Sequence, residues 1–142
     1  MNKGLESYKK TDVNTSSQGK LVVLLYDGAI KFLESALAVL GQKHKTEEVH
    51  TNIIKAQDII VELLASLNYE AGDIAQRLAS IYTYMNKRLL EANVKKERAP
   101  IAEVVGYLKE LREAWAKAAD QPTNEDKPTA AAVKTGKINI SG

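Results

Sequence analysis

The 142-residue chain carries 20 Lys and Arg against 18 Asp and Glu, a formal charge of +2, which supplies no strong pull toward nucleic acid or a membrane surface. It has no cysteine, so disulfides, thiolate metal sites and a cysteine nucleophile are excluded. A single domain of this size buries roughly two-thirds of its unfolded surface. No apolar run approaches the ~18 residues of a membrane span, stable membrane insertion is not expected, and the polar start from Met1 to Asp12 holds no signal region. The expected location is the cytoplasm.

Residues 1–16 read as a polar arm in which Leu5, Tyr8 and Val13 are isolated apolar groups, and Ser17 is placed as the N-cap of a first helix. From Leu21 to Leu40 the apolar side chains of that helix sweep roughly 200° of its wheel, where a surface helix needs a stripe of only about 100°. Lys20, Asp27, Lys31, Glu34 and Ser35 share the remainder with one apolar intruder, Leu24. The surplus has to pack on two fronts, and an external partner is a candidate for one of them. Gly41 suits the left-handed turn after a helix end.

A second helix is predicted over about Glu47 to Leu67, with Val49, Ile53, Ala56, Ile60, Leu63 and Leu67 alternating at spacings of four and three. Asn68 to Gly72 is a turn. The third helix runs from about Asp73 to Val94 on Ile74, Leu78, Ile81, Met85, Leu89 and Ala92. Pro100 is placed at the first position of the fourth, which continues on Ile101, Val104, Leu108, Leu111 and Trp115. Periodicity stops after Asp120, and residues 121–142 read as a disordered tail. Short connections between such helices predict an all-α, antiparallel up-down four-helix bundle over 17–120.

Catalytic patterns are sparse. Glu47 and His50 have the Glu-x-x-His spacing of di-iron bundles, but such sites need a second pair, and the other histidine, His44, lies in a loop. No Ser, His and Asp fall into an ordered triad and no Gly-rich loop follows a strand. The cluster Lys95-Lys96-Glu97-Arg98 suits a helix C-terminus favoured by the dipole. No catalytic, metal or cofactor site is therefore expected, and the unexplained surface is apolar. Ile54, Val61 and Ala65 form a second line on the second helix, and Ala79, Leu90 and Val94 lie off the seam of the third. Tyr84 is placed outward among Arg77, Arg88 and Glu91, and Tyr26 and Tyr84 suit groove edges. Such flanks are the kind that accept amphipathic partner helices.

The stretches Gly19-Lys20-Leu21-Val22, Leu25-Tyr26-Asp27-Gly28-Ala29-Ile30-Lys31-Phe32-Leu33, Lys55-Ala56-Gln57-Asp58-Ile59-Ile60, Tyr82-Thr83-Tyr84-Met85-Asn86-Lys87-Arg88-Leu89 and Leu111-Arg112-Glu113-Ala114-Trp115 together resemble the FliS family of flagellin export chaperones, in order, over about Tyr8 to Trp115. Gln18 stands where that family usually has proline. The resemblance implies a non-enzymatic chaperone that binds the C-terminal segment of flagellin as helices in hydrophobic grooves and docks at the flagellar type III export gate. It maps the groove-forming helix onto Leu21, Leu25, Tyr26, Ile30, Leu33 and Leu37, of which Leu21, Leu25 and Leu33 are equally candidates for bundle core. Tyr8 and Val13 match an arm implicated in covering the groove and in gate docking. Ile54, Val61 and Tyr84 are further partner-binding candidates from their flank positions. A helical adaptor or a regulator with another flagellar assembly factor as client would use the same grooves.

Overall fold

The computed structural model describes residues 15–120, which form four α-helices: α1 (Thr15–Val39), α2 (Thr46–Ala65), α3 (Asp73–Lys95) and α4 (Arg98–Ala119). Single 3-10 turns, Lys43–Lys45 and Tyr69–Ala71, lead into α2 and α3. The arm carrying Tyr8 and Val13, and the tail 121–142, lie outside the described residues. Helix α1 packs against α2 and α4, and α3 closes the ring by packing against the same two, so α1 and α3 are diagonal partners. The short connections make every neighbouring pair antiparallel.

The predicted apolar stripes become the core. Leu33, Ile53, Ile60, Met85, Leu89, Ile101 and Leu108 are fully buried, each burial being worth about 1.5–3 kcal/mol relative to exposure. The connections follow from residues that tolerate unusual backbone. Gly41 ends α1 at φ 93° and Gly72 precedes α3 at φ 80°, where a Cβ would be strained. Lys96 takes the left-handed conformation at the end of α3, and the N–H of Glu97 reaches back to the Ala92 carbonyl.

Two helix starts differ from the sequence reading. Helix α1 begins at Thr15, so Ser17 lies in its first turn and does not cap it. Helix α4 begins at Arg98, which makes Pro100 its third residue. Nothing is lost there, because the first four amides of a helix have no intrahelical acceptor.

Candidate partner-binding surface

The second front of α1 is internal. Phe32 lies beneath the Lys55 ammonium of α2, 5.5 Å from its ring centre, and a Cβ on Gly28 would come within 3.1 Å of the Ile59 Cδ1. On the opposite flank Asp27 accepts from Arg112 at 2.8 Å and Glu34 pairs with Lys109 at 3.0 Å, both on α4. Helix α1 is thus held by two neighbours, which explains its broad apolar arc. Leu21, Leu25, Tyr26 and Leu33 are buried, while Ile30 and Leu37 are half-buried against the core. In this conformation the first four offer a partner almost no surface. Tyr26 in particular is core and not a groove edge: its ring is fully buried and its hydroxyl lies 2.5 Å from that of Tyr82 on α3. Burial pushes both phenols above the ordinary tyrosine range. The Trp115 indole approaches both hydroxyls closely enough to oppose that rise, without completing a well-formed hydrogen bond.

Exposed apolar surface gathers instead between α2 and α3. The register of the two helices is set by two amide contacts. Gln57 Nε2 donates to the Asn86 carbonyl at 3.2 Å while Asn86 Nδ2 donates back to the Gln57 carbonyl at 3.5 Å, and Asn93 Nδ2 contacts His50 Nδ1 at 3.0 Å. Residues 50, 54, 57 and 61 form one line on α2, as three- and four-residue steps stack on one side of a helix. Residues 86, 90, 93 and 94 do the same on α3. Ile54 and Leu90 therefore sit one step outside the polar contacts, facing each other across the seam. Their exposure is high for aliphatic groups: Ile54 38%, Val61 53%, Leu90 58% and Val94 75%. The result is an apolar-rimmed groove with an amide floor, in which Asn86 Oδ1 is buried without a hydrogen-bond partner.

The seam between α3 and α4 is closed by polar contacts. Tyr84, expected to point outward, donates to Glu103 at 2.7 Å and packs on Tyr107, whose hydroxyl donates to the same carboxylate at 2.9 Å; Arg88 adds a third bond at 2.8 Å. Burial pushes the Glu103 carboxyl up, yet the three donors together hold it below the usual carboxylate range. Burial and the bond to Glu103 push Tyr107 up to about 12. Tyr84 is a partly buried clip between helices.

The basic cluster serves the helix ends. Lys96 donates to the Asn93 carbonyl and side chain, both at 2.6 Å, and Arg98 reaches the Leu37 carbonyl at the end of α1 at 3.2 Å. Because the Asn93 oxygen is taken by an ammonium, its amide nitrogen faces His50, which must accept through Nδ1. Among the described residues no three His, Asp or Glu side chains gather as metal ligands, and no helix is long and apolar enough to cross a membrane.

A family profile described as flagellar protein FliS matches residues 1–122. The chain belongs to the FliS family. It is 37% identical over 112 residues to the flagellar secretion chaperone FliS of Bacillus subtilis, a match spanning 79% of this chain and 83% of that protein. Its identity to the FliS chaperone of Salmonella typhimurium is 35% over 118 residues, 79% of this chain and 87% of the other. The Escherichia coli FliS chaperone shares 31% over 119 residues, 80% and 87% of the two chains. The FliS match ends three residues beyond α4, and residues 123–142 lie past it.

Sequence reasoning placed Ile54, Val61, Leu90 and Val94 off their seams, but not together. The pairing of Gln57 with Asn86 and of His50 with Asn93 was not foreseen. Both asparagines and both partners sit at the edge of an apolar stripe, where a polar residue at core spacing is the available signal.

Proposed function

We propose that this FliS-family chain is a cytoplasmic, non-enzymatic export chaperone. It binds the C-terminal segment of flagellin on its apolar flanks, prevents premature polymerisation and delivers the client to the flagellar type III export gate. The observation that carries this reading is the groove between α2 and α3, whose rim presents Ile54, Val61, Leu90 and Val94 to solvent in a chain whose relatives are named flagellar secretion chaperones. A rim of aliphatic side chains spaced by helical turns fits the apolar face of an amphipathic client helix. A client that is disordered when free pays ordering entropy on binding, and needs a long contact to offset it. Half-buried Ile30 and Leu37 extend the apolar surface on the other side of the bundle. The arm residues Tyr8 and Val13 are assigned to covering the surface that Ile30 and Leu37 present on α1, and to gate docking.

Calorimetric titration with the flagellin C-terminal segment tests the assignment. The double substitution Val61→Asp, Leu90→Asp should weaken binding at least tenfold, about 1.4 kcal/mol, with helicity unchanged. Undiminished affinity in the folded variant moves the client to another face. Absence of binding by the unsubstituted chain overturns the proposed function.

A further inference from the structure

We propose that the groove between α2 and α3 is also a docking site for the chain's own C-terminal segment, residues 133–140. The segment lies beyond the family match, which stops at residue 122, so the relation of fold to family does not account for it. Residues 121–142 contain three large apolar side chains, Val133, Ile138 and Ile140, and all fall in the last ten residues. A tail that merely solubilised the domain would have no use for that arrangement. The rim it would meet is unpaired aliphatic surface of matching kind: Ile54 and Val61 on one side, Leu90 and Val94 on the other.

Connectivity and reach favour this occupant. In an up-down bundle α4 ends where α2 ends and α3 begins, so the chain leaves Ala119 at the Val61 end of the groove. Travelling along α3 from Asp73 to Leu90 covers about 26 Å at 1.5 Å per residue. One helix crossing adds about 10 Å. Residues 121–137 span up to ~56 Å when extended, so Ile138 and Ile140 reach Leu90 with chain to spare. A tethered segment needs little intrinsic affinity, because a short flexible linker holds it at an effective concentration in the millimolar range. Charge agrees with the placement. Lys134 and Lys137 lie between Val133 and Ile138, and Asp58 is exposed on α2 between Ile54 and Val61. The proposal concerns the chain alone and stands whether or not flagellin uses the same surface.

The absence of cysteine permits a direct test on the full-length chain. A nitroxide is attached to Ser141→Cys, and methyl resonances are compared with the label oxidised and reduced. With the segment docked in half or more of the molecules, the methyl signals of Val61, Leu90 and Val94 should fall at least about twofold. Those of Leu24, exposed on α1 outside this groove, should be nearly unaffected. Adding Ile138→Asp and Ile140→Asp should abolish the difference while the spectrum of the bundle persists. Equal broadening at Leu24 and Leu90, or broadening indifferent to the two aspartates, overturns the proposal. Broadening seen between a spin-labelled molecule and a separate isotope-labelled one, and lost on dilution, overturns it in favour of a second copy's tail.

Discussion

Substituting the buried tyrosine pair separates a shared hydrogen bond from two independent ones. Tyr26 and Tyr82 are 0% and 1% exposed, with ring centres 6.4 Å apart and hydroxyls in mutual contact. Tyr26→Phe or Tyr82→Phe keeps the ring and its volume, but leaves the remaining hydroxyl buried without its partner, at a cost of about 1–3 kcal/mol. The double variant removes both polar groups together, so its loss should be smaller than the sum of the two single losses and within about 1 kcal/mol of the unsubstituted chain. The coupling between the sites should accordingly be about 1–3 kcal/mol. Urea unfolding followed by circular dichroism reads this directly: with a slope of 1–3 kcal/mol/M, a loss of about 2 kcal/mol moves the midpoint by roughly 1 M. Additive losses would mean that each hydroxyl has its own partner, with Trp115 the nearest candidate, and would refute the shared bond. Single variants as stable as the parent would show that water reaches the pair.

Alkaline pH should destabilise the fold through its phenols. Tyr26, Tyr82 and Tyr107 all have folded values raised by burial, Tyr107 to about 12, so their contribution is complete below the ordinary value near 10 and is lost as pH rises through the folded values. Urea midpoints should be level from pH 7 to 9 and fall above 10. Glu103 runs the other way: its depressed value contributes stability that is present above about 4.3 and disappears as pH falls through the folded value, and Glu103→Gln should flatten that acid limb. Leu89→Ala, in the fully buried seam, should cost about 2–5 kcal/mol by thermal or urea unfolding, against less than about 0.5 for Leu24→Ala on the surface. At Gly28 the gain of about 1 kcal/mol in helix propensity from Ala is set against the 3.1 Å approach of Ile59 Cδ1. Gly28→Ala should therefore be near neutral and Gly28→Leu strongly destabilising, as differential scanning calorimetry would show.

Helix number, order and inward faces were readable because alternating steps of three and four leave few alternatives. Of Ile74, Leu78, Ile81, Met85, Leu89 and Ala92, expected on one stripe of α3, all are buried except Ile74 near the helix start, which is partly buried. What a helical wheel lacks is the identity of the neighbour across each flank. Tyr26 and Ile54 occupy comparable positions beside their stripes, yet Tyr26 meets Tyr82 across 56 residues of chain and Ile54 meets solvent. Tyr84 illustrates the same limit: its apparent surroundings, Arg77, Arg88 and Glu91, lie on its own helix, whereas Glu103 and Tyr107 come from α4. Pro100 was correctly placed in an opening turn but two positions early, since proline is tolerated anywhere that no amide donor is required.

Trp115 is the sole tryptophan of the chain, and it sits on α4 beside phenols contributed by α1 and α3. One indole thus views three of the four helices at once, from an interior site with little solvent contact. Its emission spectrum is a built-in optical gauge of how those helices meet. A ligand that only covers the outer groove leaves the colour of that emission unchanged, whereas one that pries the bundle open shifts it to the red, so the two modes of engagement are distinguishable without any label.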